Sequence, residues 1–204
     1  MNRGYSYMPD FDSEFSDAYL IERVRENDLD SLGKLFDRYY TQVYRSAIVI
    51  TQDNAAAEDI AQECFLKIHR YASRIDTNLP LIPWLYRVTV NLSYTWVTRQ
   101  KKRTISLDGM VDRLMSPNWL SPDHLAEHSE TQRQVREAIG QLNLNQRVVI
   151  ALHYLSGLSL EEIAEILDCP LGTVKSRLHY ARENLRHQLQ TVHLTGEVAH
   201  GYAR

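Results

Sequence analysis

His124-Leu125-Ala126-Glu127-His128 carries the H-x-x-E-H spacing of inverted zinc peptidases, the clearest hint of metal chemistry in this chain. That chemistry needs two imidazoles on one helix face, a third ligand and a carboxylate base around an open zinc site. Here the motif follows Pro117 and Pro122 in an acidic stretch, with no large catalytic domain around it, and the spacing reads as chance. No Gly-rich phosphate loop and no nucleophile–base constellation is found elsewhere. No metal or other cofactor is expected, and neither is an enzyme. Cys64 and Cys169 cannot build a disulfide framework and read as small apolar fillers in a reducing compartment, the cytoplasm.

The remaining chemistry is that of charge and aromatic rings. A net charge of -3 over 204 residues conceals a strong segregation. Residues 64–104 hold eight bases and one acid, and residues 173–204 hold five bases and two acids. Two basic patches in an acidic chain suit a protein that touches a polyanion at two places. In the first patch Trp84, Tyr86, Arg87, Asn91, Tyr94, Arg99, Lys101, Lys102 and Arg103 interleave rings with cations. Rings stack on unpaired bases while Lys and Arg neutralise phosphates, so this mixture suits single-stranded nucleic acid. The bland alternative is that the rings are core. Just upstream, Asp59 and Glu63 stand four residues apart and form an acidic ridge, which read alone is a solvated helix face.

These residues must be carried by helices. Hydrophobic residues make up 44% and charged residues 24% of the chain, with 8 Gly and 6 Pro, which is globular composition too poor in turn formers for a β architecture. No apolar run approaches the roughly 20 residues of a membrane span, and the N-terminus lacks a signal-peptide core. Leu20, Ile21, Val24, Leu32, Leu35, Phe36 and Tyr39 recur at helical spacing, with Asp28 or Asp30 as a turn and N-cap. A helix opens near Asp53-Asn54 with Ile60, Cys64 and Ile68 as its apolar stripe. Pro80 and Pro83 interrupt the pattern, and a further helix is expected from about Trp84, with Leu85, Val88, Leu92 and Trp96 inward and Tyr86, Arg87, Asn91 and Tyr94 outward. The acidic, proline-bearing segment 105–130 reads as a flexible linker. The expected organisation is all-α: a tail over 1–16, a helical domain over 17–104, the linker, a second small helical domain over 131–190 and a tail over 191–204.

Within the second domain, Ser159 with Glu162 forms a capping box that opens a short helix faced by Ile163, Ala164 and Leu167. Asp168-Cys169 is the turn, and Pro170 fits the first position of the next helix. There Val174, Leu178, Ala181 and Leu185 turn inward, leaving Lys175, Ser176, Arg177, His179, Tyr180, Arg182 and Arg186 outward. A short helix, a tight turn and a second helix presenting basic and polar side chains is the helix-turn-helix arrangement for the major groove.

With Ala57 to Phe65, Trp84 to Asn91 and Leu158 to Arg177 in this order and spacing, the chain resembles a group IV, extracytoplasmic-function (ECF) RNA polymerase sigma factor of the sigma-70 family. The resemblance covers about residues 17–190. It implies a sigma-2-like domain, a linker and a sigma-4-like domain, with core RNA polymerase (its β′ clamp helices and β flap), promoter DNA and an anti-sigma factor as partners, and no membrane insertion. It implies that Asp59, Gln62 and Glu63 dock on the clamp helices, which replaces the solvated-ridge reading. Trp84 to Arg103 would capture and melt the −10 element, Asn91 standing near a flipped-out base. Thr173, Lys175, Ser176, Arg177, His179, Tyr180 and Arg182 would read the −35 element. The loop Thr77 to Pro83 is more apolar and proline-rich than the family pattern. The rival function is a helix-turn-helix regulator that binds duplex DNA without core polymerase.

Overall fold

A computed structural model describes residues 15–106 and 130–201, and among these every regular element is helical. The first half holds α1 (Asp17–Arg25), α2 (Leu29–Thr51), α3 (Asn54–Tyr71) and α4 (Leu81–Ser106), with a single tight helical turn over Ala72–Arg74. Boundaries follow from side chains that satisfy the orphan N–H groups of helix starts. The Asp28 carboxylate accepts from the Asp30 and Ser31 amides at the head of α2, and Asp53 accepts from the Ala56 amide at 2.8 Å at the head of α3. Between α2 and α3 the chain reverses through Gln52, which adopts the left-handed conformation at φ 61°. Arg25 ties the first helix to the end of the third by donating to the carbonyls of Ala72 and Ile75. Leu20, Leu35, Val43, Ala57, Ala61, Cys64, Ile68 and Leu85 form the centre of this bundle.

The expected start of α4 at Trp84 is corrected: the helix begins at Leu81 and contains Pro83. The first amides of a helix have no partner within it, so a proline in the first turn gives up no hydrogen bond. A second correction concerns Tyr86, expected outward, which is 4% exposed and packs with Val90 against the other half of the chain.

The second half comprises α5 (Glu130–Gly140), α6 (Leu144–Ile150), α7 (Leu160–Leu167) and α8 (Leu171–Gly201). Residues Ala151–Leu155 continue α6 as a wider, π-helical turn. The capping box is formed as expected: the Glu162 amide donates to Ser159 Oγ, and the Ser159 amide donates to the Glu162 carboxylate at 2.7 Å. The inner face of α7 is Ile163 and Ile166, with Ala164 and Leu167 only partly buried, which shifts the expected stripe by one residue. Asp168 turns the chain in the left-handed conformation at φ 49°. Pro170 precedes the first residue of α8 and lends its carbonyl to the amides of Thr173 and Val174. Val174, Leu178 and Ala181 are buried and Leu185 partly so. α8 continues past Gln190 to Gly201.

The two halves share one apolar seam in which Ile50, Tyr86 and Val90 pack with Val148, Leu152, Ile163 and Ile166. The linker reading and the His124–His128 motif fall outside the described residues.

Candidate nucleic-acid interface

Three faces of α4 have three different neighbours, and its basic C-terminal end is exposed. Leu85, Thr89 and Ser93 point into the bundle, where the two hydroxyls donate to the carbonyls one turn back, Leu85 and Thr89. Cys64 Sγ lies 3.4 Å from the Thr89 hydroxyl, and burial pushes its thiol up to about 12. This cysteine is a core group, as expected.

On a second face Trp84, Val88, Asn91, Leu92 and Thr95 line a cavity of about 510 Å³ closed by Lys67, Tyr71 and Arg74 of the preceding helix and turn. The Lys67 ammonium is 5.6 Å and the Arg74 guanidinium 5.7 Å from the Tyr71 ring centre, so a ring face is flanked by two cations. Asn91 is exposed at its mouth, and among the described residues no hydrogen bond to its side-chain amide is found. Sequence reasoning missed Lys67, Tyr71 and Arg74 as members of this site. The available signal was the helical spacing of Lys67 and Tyr71 inside the basic patch.

A third face turns to the second half. Arg87, Val90, Asn91 and Tyr94 line a cleft of about 570 Å³ with Ile166, Leu167, Asp168 and Arg177. Arg87 Nε donates to the Ile166 carbonyl at 3.3 Å and its Nη2 donates to the Glu165 carbonyl, so a guanidinium seats on the C-terminal end of α7. The Tyr94 hydroxyl donates to Asn145 Oδ1, and burial raises its pKa from the ordinary value. At the basic end Arg99, Lys101 and Lys102 are exposed and Arg103 follows on the same helix.

The acidic ridge on α3 lies exposed at Asp59 and half-buried at Glu63. Glu63 has Lys67 Nζ at 3.9 Å and Arg70 Nη1 at 3.7 Å, loose contacts of little energetic weight. Gln62 borders an apolar groove of about 440 Å³ lined by Leu29, Leu32, Phe36, Phe65 and Leu66. Leu29 and Leu66 are 65% and 53% exposed, and neither was singled out from the sequence.

On α8 Lys175, Ser176, His179, Tyr180, Arg182 and Arg186 are exposed, while Thr173 and Arg177 are half-buried. Arg177 turns toward the α4 cleft rather than away from the protein. Arg182 donates from Nε to the Tyr154 hydroxyl at 2.7 Å, which makes Tyr154 of the π-helical turn a neighbour of the exposed α8 residues. The structure thus gathers Trp84 and Asn91 at one cavity and Arg87, Asn91, Tyr94 and Arg177 at another, and leaves most of the α8 set on a separate face.

Comparison with known proteins finds matches in both halves. Residues 35–103 match the family description "Sigma-70 region 2", and residues 132–185 match "Sigma-70, region 4". The chain is 34% identical over 179 residues to the ECF RNA polymerase sigma factor SigW of Bacillus subtilis, covering 83% of this chain and 95% of that protein. It is 33% identical over 186 residues to the ECF RNA polymerase sigma-E factor of Escherichia coli K12, covering 87% and 96%. Among solved structures, the sigma factor RpoE of Bartonella quintana, solved with the anti-sigma factor NepR, superimposes with a TM-score of 0.65 at 24% identity over 78% of this chain and 96% of that one. CnrH, solved with the cytosolic domain of CnrY, gives 0.63 at 19% identity over 86% and 97%, and both likenesses speak to the fold. Because the matches run through both helical halves, the reading as a free-standing helix-turn-helix regulator falls, and the chain belongs to the ECF family of RNA polymerase sigma factors, which bind core polymerase and direct transcription initiation at promoters.

Proposed function

We propose that the division of labour within this sigma factor follows the faces of α4 and the outer face of α8. The first helical domain, over 17–104, docks on the β′ clamp helices through Asp59, Gln62 and Glu63, with the Leu29–Leu66 groove alongside as its apolar component. The same domain opens the −10 element. The cavity bounded by Tyr71, Trp84 and Asn91 is the receptor for an unpaired base: rings supply stacking surface, the Asn91 amide supplies a donor and an acceptor for a base edge, and Lys67 and Arg74 supply counter-charge. Arg99, Lys101, Lys102 and Arg103 then hold the phosphate backbone.

The second domain, over 131–190, reads the −35 element with Thr173, Lys175, Ser176, Arg177, His179, Tyr180 and Arg182, and also contacts the β flap. The protein acts by recognition, without catalysis of its own, in the cytoplasm; among the described residues no helix is long and apolar enough to cross a membrane. An anti-sigma factor is its expected regulator, in line with the NepR and CnrY complexes of its structural neighbours.

The observation that carries this reading is the aromatic, cation-flanked cavity on α4 next to a basic helix end. The experiment is transcription in vitro with core polymerase, with and without this protein. Specific transcripts that appear only when both are present support it. Duplex promoter binding by the protein alone, with no core-dependent initiation, overturns it.

A further inference from the structure

We infer that the cleft between α4 and the α7–α8 turn is a binding site for a small phosphorylated molecule of the nucleoside diphosphate class, a role separate from promoter reading.

The cleft is a formed receptor. Its volume of about 570 Å³ lies in the range of roughly 300–1,000 Å³ that holds small molecules. Val90 and Ile166, both buried, give it an apolar base. The polar groups around it are held in place by the protein itself. Arg87 is seated on the Ile166 and Glu165 carbonyls, and the Tyr94 hydroxyl donates to Asn145. Asp168 is fixed in the left-handed conformation, with its amide donating to the Glu165 carbonyl. Groups ordered in advance cost little to order again around a ligand.

The charges in the cleft are not matched. Arg177 is half-buried at its wall, and among the described residues no hydrogen bond or ion pair of its guanidinium is found. Its charge reaches the Tyr94 phenol, whose pKa is raised by burial and drawn part of the way back by Arg177. Arg87 spends Nε and Nη2 on carbonyls, which leaves the two N–H groups of Nη1. Two guanidiniums on one cleft repel each other, and a diphosphate offers each of them a counter-charge through charge-assisted hydrogen bonds. Arginine suits this task because its planar fork meets phosphate oxygens two at a time.

The other polar groups define the rest of the ligand. Asp168 is exposed on the cleft wall, with no ion pair among the described residues. A bare polyanion meets it as a like charge, whereas a ribose gives it hydroxyl donors. Asn91 offers a donor and an acceptor from one amide, the pattern that a base edge complements. Two phosphates for two arginines, hydroxyls for a carboxylate and a base edge for an amide describe a nucleoside diphosphate.

The test is equilibrium dialysis of the free full-length chain, without core polymerase or DNA, at about 0.15 M salt. ADP and GDP are the probes, beside inorganic pyrophosphate and adenosine. At least one of the two nucleotides should bind one-to-one with a dissociation constant below about 1 mM. Pyrophosphate and adenosine each carry part of the ligand and should bind at least about tenfold more weakly. Arg177→Gln keeps much of the side chain and removes the charge, and should weaken nucleotide binding about tenfold. Asp168→Asn keeps a residue that tolerates the left-handed conformation, and should tighten pyrophosphate at least about threefold. Lys34→Ala removes an exposed cation of α2 that does not line the cleft, and should change nothing. Melting curves show that each variant is folded.

The proposal is overturned if neither nucleotide binds below about 1 mM, or if pyrophosphate or adenosine matches the nucleotides. It is equally overturned if Arg177→Gln binds like the wild type, if Asp168→Asn leaves pyrophosphate binding unchanged, or if Lys34→Ala loses as much as Arg177→Gln. None of these measurements involves a promoter, so their failure leaves the assignment of α4 and α8 to DNA standing.

Discussion

Arg182 donates from Nε to the phenolic oxygen of Tyr154 at 2.7 Å, and its guanidinium carbon lies 5.6 Å from the centre of that ring. An exposed cation on α8 is thereby held in one direction by a residue 28 positions earlier, on the π-helical turn. The remaining guanidinium N–H groups stay available to a phosphate.

Arg182→Ala should therefore weaken holoenzyme binding to a −35 duplex for all sequences alike and lower the slope of log affinity against log salt by about one. Tyr154→Phe removes the acceptor and keeps the ring. It should cost only about threefold in affinity, near 0.6 kcal/mol, with the salt slope unchanged. Fluorescence anisotropy across a salt series separates the two outcomes, and a Tyr154→Phe variant that also lowers the slope would mean the ring itself meets the DNA backbone.

Core docking should depend on exposed residues that contribute little to folding. Asp59→Lys with Glu63→Lys should leave the helical bundle folded and reduce affinity for core polymerase by several kcal/mol, since like charges would meet at a desolvated interface. Leu66 is exposed, so Leu66→Ala should leave thermal stability within about 1 °C while costing about 1 kcal/mol of core binding. Calorimetric binding to core, read beside a melting curve, checks both. Unchanged binding by the lysine pair refutes the ridge as a docking site.

Asn91→Ala should fold and bind core normally yet lose roughly tenfold in initiation on a closed duplex, near the 1–3 kcal/mol of one base contact. A template already mismatched across the −10 element should recover part of that loss, because the unpairing cost has been removed. The alternative role, a hydrogen bond within the bundle, predicts instead a lower melting temperature and weaker core binding together. The exposed Asn91 side chain at the mouth of the Trp84–Tyr71 cavity favours the first outcome.

Alkaline pH should unfold the first half earlier than its charge balance suggests. Burial holds the Cys64 thiol near 12, against an ordinary value near 9, and pushes the Tyr39 phenol up as well, helped by its hydrogen bond to Asp17. Both groups are neutral in the fold and ionise more readily once the chain is unfolded. Their stabilisation is complete below the unfolded value and shrinks as pH rises through the window from about 9 toward 12 for the thiol. The loss for Cys64 alone approaches about 1.4 kcal/mol per pH unit there. Denaturant midpoints measured at pH 8, 9 and 10 should fall, and Cys64→Ala should flatten part of the fall. A pH-independent midpoint would contradict the burial.

Local signals in the sequence were read well. Asp28, Asp53 and the Ser159–Glu162 pair cap helices because short acceptor side chains compete for the first free amides, and that competition is visible within four residues. The stripes of Leu20 to Tyr39 and of Val174 to Ala181 are equally local. What escaped was which partner a face meets. Tyr86 and Val90 sit on α4 with apolar neighbours on either side, and periodicity fixes a face without saying whether bundle, solvent or the other half of the chain covers it. Lys67, Tyr71 and Arg74 joined the Trp84 cavity only through the packing of α3 on α4. Pro83 misled because a proline breaks a helix interior but not a first turn.

Because the first half of α4 meets the bundle on one side and the second half of the chain on another, few of its inward positions are free to vary. Thr89 must fit Cys64, Arg87 must reach the end of α7, and Val90 must fill the seam, all within a single helical turn. A library of random substitutions should find positions 85–90 of this helix among the least tolerant of the chain. It should also find pairs that rescue one another, with replacements at Arg87 compensated on α7 rather than on α4 itself. Such compensations would be signs of inheritance constrained from two directions at once, one set by the chain's own second half and the other by the DNA it opens.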